Sequence, residues 1–184
     1  MGLLFLNEYL KDIRNVGAIA PSSRFLARKM VESVDFDNAK VIIEYGSGTG
    51  VFTAEIVKRM KPGTKLLALE TNPAFYDNLQ TTYKDTEGVE IINVSAEHVS
   101  KLHEERTLPT PDYIISGLPF AALPAQVSTA ILKETAALLD ENGEFITFQY
   151  TLLKKKLFGN YFPDIHVTRE LRNIPPAYVL RCRR

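Results

Sequence analysis

The sequence predicts a single α/β domain with a mostly parallel sheet and helices on both faces, and three observations support it. Strand-like runs at 40–45 (KVIIEY), 65–70 (KLLALE), 89–94 (VEIINV), 112–116 (DYIIS) and 143–150 (GEFITFQY) alternate with helical patterns beginning near Thr49, Asn72, Glu97 and Ala122. Strands alternating with helices imply parallel neighbours joined by crossovers, so the sheet is covered on both faces. The chain has 184 residues and no internal repeat, low-complexity tract or linker. That length fits one compact domain able to bury its own core.

The elements follow in order. Leu3, Leu6, Leu10 and Ile13, joined by Leu4, Phe5 and Tyr9, recur at helical spacing, with Asn7, Glu8, Lys11, Asp12 and Arg14 opposite. This predicts an amphipathic helix. Pro21 then ends an extended stretch, and Ser22 or Ser23 caps a second helix running to about Val34. Residues 1–35 are thus N-terminal helices that serve as a lid, cofactor cover or docking piece of the same domain, and 36–184 form its core. A last apolar run, AYVLRCR at 177–183, follows Pro175 and Pro176 and is expected to pair at or near a sheet edge.

Composition excludes several classes. Lys+Arg and Asp+Glu are both 22, so no global field favours nucleic acid or an anionic membrane, and any anionic partner must be met by a local patch. The single cysteine, Cys182, allows no internal disulfide and suits a reducing cytoplasm. The N-terminus lacks the basic segment of a secretory signal, and Leu6 stands where myristoylation wants Ser or Thr. No stretch approaches the roughly 20 apolar residues that span a bilayer. His98, His103 and His166 have no metal-ligand spacing, so no metal is expected.

In open α/β sheets ligands sit at the carboxyl ends of the strands, where strand order reverses. The loops after Tyr45, Glu70, Val94, Ser116 and Tyr150 should therefore share one rim. On it, Gly46, Gly48 and Gly50 alternate between a strand and a helix, which lets backbone approach a ligand closely. A Walker loop would need Lys-Ser/Thr after its last glycine, where Val51 and Phe52 stand. A dinucleotide fingerprint fits poorly, because Val51 takes the place of its third small residue and Glu44 sits close to where a pyrophosphate would lie. S-adenosylmethionine fits better, since it is cationic at sulfur and amino group and carries no phosphate. Glu44 then orients the loop or meets the positive end, and Glu70, closing the second strand, accepts both ribose hydroxyls.

Glu44-x-Gly46-Ser47-Gly48-Thr49-Gly50, with the strand-helix alternation after it, resembles the first motif of seven-stranded, Rossmann-like class I S-adenosylmethionine-dependent methyltransferases. That resemblance implies a seven-stranded sheet with extra N-terminal helices. It adds Ser47, Thr49 and Thr71 to the cofactor set and places NVSAEH at the adenine. There Ser95 replaces the family's usual Asp and leaves Ala96 and Glu97 to recognise the base.

The acceptor loop SGLPF, 116–120, stands where amino-methylating relatives carry Asn/Asp-Pro-Pro-Tyr/Phe or Asn-Leu/Ile-Pro-Tyr/Phe. GAIAPSSRFLARKM, SGLPFAALP, FITFQYT and NIPPAYVLR resemble, in order, bacterial phospholipid N-methyltransferases that act on phosphatidylethanolamine. More loosely, the layout resembles ribosomal RNA adenine dimethylases. The lipid resemblance implies cofactor contacts from Pro21, Ser22, Ser23 and Ser116. It also implies an acceptor site of Ser116, Gly117, Leu118, Pro119, Phe120 and Tyr150, in which Phe120 and Tyr150 offer ring faces to a methylated cation.

A peripheral membrane contact is expected through the N-terminal helix and Lys154, Lys155 and Lys156. RNA is the alternative substrate. A non-catalytic cofactor-binding accessory protein is the alternative of another class, because Ser116 replaces the usual Asn.

Overall fold

A computed structural model of the protein describes residues 22–184. The expected helix over Leu3–Ile13 and the expected role of Pro21 lie outside the described residues. The first described helix, α1 (Arg24–Met30), is capped by Ser23, whose Oγ accepts the Leu26 N–H at 3.2 Å. It ends before the predicted Val34, because Val31 leaves helical geometry at φ −106° and a turn follows.

The core then alternates as predicted: β1 (Val41–Tyr45), α2 (Val51–Val57), β2 (Lys65–Leu69), α3 (Pro73–Tyr83), β3 (Val89–Ile92), a 3-10 turn (Ala96–His98), α4 (Val99–Glu105), β4 (Tyr113–Ser116), α5 (Ala125–Leu138) and β5 (Glu144–Gln149). A short α6 (Lys155–Gly159) leads to the hairpin of β6 (Asp164–Glu170) and β7 (Ala177–Arg183). Asn72 starts α3 as predicted: its Oδ1 accepts from Ala74 and Phe75 N–H, and Pro73 supplies the preset φ of the first turn.

The seven strands form one sheet in the order β3-β2-β1-β4-β5-β7-β6. β1 to β5 pair in parallel, and β7 is antiparallel to both neighbours. The run at 177–183 therefore sits one strand in from the edge. The edge itself is β6, which inspection of apolar runs misses because DIHVTRE carries apolar groups only at Ile165 and Val167. That sparse alternation is what a half-exposed edge strand allows.

Alternate residues of the central strands feed two cores. Val41, Ile43 and Tyr45 of β1 join Ile114, Phe145, Ile131 and Phe158 under α4, α5 and α6. Ile42, Leu66, Ile115 and Ile146 meet Leu26 and Met30 of α1 and Phe52 and Ile56 of α2. Burying each such side chain stabilises the fold by roughly 1.5–3 kcal/mol. Cys182 is fully buried in the first core, where burial pushes its thiol pKa up and removes it from chemistry.

Candidate active site

Parallel pairing from β1 to β5 brings all five predicted loops to one rim, and strand order reverses between β1 and β4. The glycine loop follows β1 and the acceptor loop follows β4, so the two meet at that crevice. Gly117 N–H donates to the Tyr45 carbonyl at 2.8 Å. A Cβ on Gly117 would lie 2.8 Å from the Gly46 carbonyl oxygen, and one on Gly46 would lie 2.7 Å from Leu118 Cδ2. Only glycines let these turns touch.

Gly46, Gly48 and Gly50 hold φ of +67°, +55° and +81°, the left-handed region that other residues enter at a cost. The loop is anchored by Gly46 N–H on the Leu69 carbonyl at 2.8 Å. Glu70 closes it: one carboxylate oxygen accepts Gly48 N–H at 2.6 Å and the other accepts Asn72 N–H at 2.7 Å. The backbone of Glu70 is held from β3, with its N–H on the Ile92 carbonyl and its carbonyl accepting from Asn93 Nδ2. Thr71 is nearly buried beside it.

Glu44 lies on the α2 side of β1 and is fully buried. Its Oε2 accepts from Thr53 Oγ1 at 2.7 Å, while Oε1 has no hydrogen-bond partner. Burial is the main cause that raises its pKa to about 7; the Thr53 hydrogen bond opposes the rise and repulsion from Glu70 adds to it. A buried carboxyl with an orphaned oxygen next to a glycine cradle fits a cationic ligand, as S-adenosylmethionine requires. Thr53 went unnoticed in the sequence; its position three residues after Gly50, in the first turn of a helix covering β1, was the available signal.

At the third loop, Ser95 caps the 3-10 turn: its Oγ accepts Glu97 N–H at 3.4 Å and donates to Glu97 Oε2 at 3.2 Å. Ala96 is buried and Glu97 partly exposed, so the turn offers backbone and one carboxylate to the rim.

The acceptor loop departs from expectation. Ser116 is fully buried, and its Oγ accepts the Leu118 N–H at 3.2 Å, which makes it a turn former. Leu118 is buried against the glycine loop. Phe120 has no exposed surface: its ring lies 5.2 Å from Phe158 and 6.1 Å from Phe145, both edge-on. The ring fills the core and offers no face to an acceptor. Pro119 opens a turn in which its carbonyl accepts the Ala122 N–H at 2.8 Å. No described residue donates a hydrogen bond to the Gly117 carbonyl.

Two residues outside the expected acceptor set shape this loop. Gln149, at the end of β5, accepts Ala121 N–H through Oε1 at 3.1 Å, while its Nε2 is buried without a partner. Lys154, expected to meet a membrane, instead donates from Nζ to the Phe120 and Leu123 carbonyls at 2.8 and 3.0 Å. Only tertiary structure reveals such a clasp. Tyr150 is half-buried, edge-on to Phe148 at 5.6 Å, and burial raises its phenol pKa. Ser23 is held at the β6–β7 turn, where its N–H donates to Asn173 Oδ1 at 3.1 Å; Ser22 precedes it, partly buried.

Residues 22–158 match the family model described as ribosomal RNA adenine dimethylase. The chain belongs to that family. It is a class I, S-adenosylmethionine-dependent methyltransferase, and the accessory-protein alternative is set aside. A curated relative, ornithine lipid N-methyltransferase from Singulisphaera acidiphila, is 27% identical over 182 residues, covering 98% of this chain and 94% of that protein. Among solved structures, the fold resembles an O-methyltransferase from Bacillus cereus in complex with SAH, with TM-score 0.73, 13% identity and coverage of 97% and 90% of the two chains. It also resembles an rRNA methylase from Streptococcus thermophilus, with TM-score 0.60, 16% identity and coverage of 86% and 93%. No helix of the described residues is long and apolar enough to cross a membrane, and no three metal-ligating side chains gather among them.

Proposed function

We propose that this methyltransferase transfers a methyl group to the amine of a lipid headgroup, with an ethanolamine phospholipid as the lead acceptor. The observation that carries the reading is the fate of Phe120. An adenine acceptor needs a planar ring to pack against and an Asn or Asp oxygen to hold its amine. Here the ring is buried against Phe145 and Phe158, and Ser116 closes its own turn. What remains at the loop is the Gly117 carbonyl, suited to a small aliphatic amine. The likeness to an ornithine lipid N-methyltransferase supports a lipid amine and adds a second headgroup to test.

S-adenosylmethionine supplies an electrophilic methyl group, and the chain's residues bind and align. The glycine loop and Glu70 would hold the ribose side, Glu44 would balance positive charge, and Ala96 and Glu97 would meet the base. The amine lone pair attacks the methyl carbon opposite sulfur in a direct displacement, so no covalent enzyme intermediate forms. The Gly117 carbonyl orients the amine, and Lys154 and Gln149 hold that carbonyl's loop. Water takes the ammonium proton before attack, because no side chain of the described residues at the loop is placed as a strong base. Alignment and exclusion of water then carry the rate.

Adenine N6 methylation in RNA is the second reading, favoured by the family match. The test is transfer of labelled methyl to vesicles holding phosphatidylethanolamine or ornithine lipid and, in parallel, to total RNA, with Gly48→Arg as the blank. Label in a lipid fraction, lost in the blank, is expected. Label in RNA alone would overturn the lipid reading.

A further inference from the structure

The carboxyl rim continues past the active site onto β7 and β6. β6 runs parallel to β5, since both pair antiparallel with β7, so the β6–β7 turn and the loop after β5 project from the same end of the sheet. The large hydrophobic side chains that stand exposed among the described residues all lie in these two turns. Leu152 and Leu153, 36% and 87% exposed, follow β5; Leu171 and Ile174, 65% and 83% exposed, lie between β6 and β7.

Around them the charge is of one sign. Lys155, Lys156, Arg24 and Arg169 make no ion pair with a described residue. The acid that ends β6, Glu170, is buried and gripped by Arg172 through hydrogen bonds of 2.8 and 2.9 Å. The β6–β7 turn is also braced. Asn173 accepts from Ser23 N–H and donates to the Pro175 carbonyl, and Arg172 lies 4.6 Å over the Phe25 ring, which locks the turn to the start of α1.

We propose that the β6–β7 turn and the loop after β5 form the surface by which the protein docks on an anionic lipid bilayer; the inference rests on the lipid-amine reading and names how that substrate is reached. Aliphatic side chains enter the headgroup boundary while lysines and arginines meet anionic lipid around them. An RNA would find only the half-buried Tyr150 in the two turns on which to stack a base. Docking on this rim turns the loop after β4 toward the headgroups, so a lipid amine reaches the Gly117 carbonyl without leaving the interface.

The test measures binding apart from turnover. The triple variant Leu153→Ser, Leu171→Ser, Ile174→Ser removes side chains that are mostly in solvent, so its melting temperature and S-adenosylmethionine affinity are expected to match the wild type. Cosedimentation uses vesicles of phosphatidylcholine with phosphatidylglycerol, which contain no acceptor amine. The wild type is expected to bind them and to release when phosphatidylglycerol is omitted, and the variant to bind about tenfold or more weakly. Equal sedimentation of variant and wild type, or a wild type that ignores anionic vesicles, would overturn the surface. Methylation of RNA alone, with vesicle binding lost in the variant, would overturn the substrate reading and leave the surface standing. Methylation of lipid with unchanged vesicle binding would do the reverse.

Discussion

On the β1–β3 side of the switch point the rim is shaped by backbone: three glycines at positive φ, and a carboxylate, Glu70, whose two oxygens hold Gly48 and Asn72. On the β4–β5 side it is shaped by side chains that reach in from elsewhere, Gln149 to Ala121 and Lys154 to Phe120 and Leu123. The first half is fixed by local conformation and needs no particular acceptor. The second is held at a distance and can be retuned by changing residues outside the loop. A cofactor common to many methyltransferases suits the first construction, and a variable acceptor suits the second.

The seam between the halves is where a single change should cost most. Gly117→Ala puts a Cβ against the Gly46 carbonyl, and because both partners are backbone, one loop must move. A shift of about 1 Å at reacting groups costs on the order of a hundredfold in rate. Methyl transfer by Gly117→Ala should therefore fall by about that factor in a steady-state assay, with the protein still folded by circular dichroism. Activity near wild type would mean that the two loops are not coupled.

The next effect belongs to the cofactor half alone. Glu44 holds its proton to a pH of about 7, against an ordinary value of 4.5, because burial disfavours its charge. The folded state binds that proton more tightly than the unfolded chain, so the unliganded protein loses stability from this group as pH rises from 4.5 toward 7. A cation beside Glu44 favours the ionised form, so S-adenosylmethionine affinity should rise as pH increases through about 7 and binding should release a proton. Glu44→Gln should bind the cofactor roughly tenfold more weakly and flatten that pH dependence, as followed by calorimetry in buffers of different ionisation enthalpy. A variant with the wild-type profile would remove Glu44 from cofactor binding.

The same contrast explains what could be read from sequence. Glycine spacing, the acid at Glu70 and the Asn72-Pro73 helix start are local signals; the helix starts where expected, while the Glu70 carboxylate, expected at the ribose hydroxyls, accepts the Gly48 and Asn72 N–H groups. Phe120 and Lys154 looked like site and membrane residues because an aromatic after a proline turn and a run of lysines are ambiguous until their neighbours are known. Tertiary packing decided both, sending Phe120 to the core and Lys154 to two loop carbonyls. The strand β6 escaped notice for a related reason: an edge strand needs little apolar sequence, and its place is set by pairing with β7. The exposed Leu171 and Ile174 stood in the sequence without a signal, since exposure is a property of the folded rim.

The most direct measurement of the division between the halves is a pair of readings on Lys154→Met, which removes the clasp while keeping much of the side chain. Equilibrium binding gives its S-adenosylmethionine affinity, and single-turnover transfer to a lipid amine gives its rate of methyl transfer. Loss of two charge-assisted hydrogen bonds to the acceptor loop should lower the single-turnover rate by about tenfold and leave cofactor affinity within about twofold of wild type. Cofactor affinity falling in step with the rate would contradict the account, because Lys154 would then be supporting the glycine loop as well as the acceptor loop.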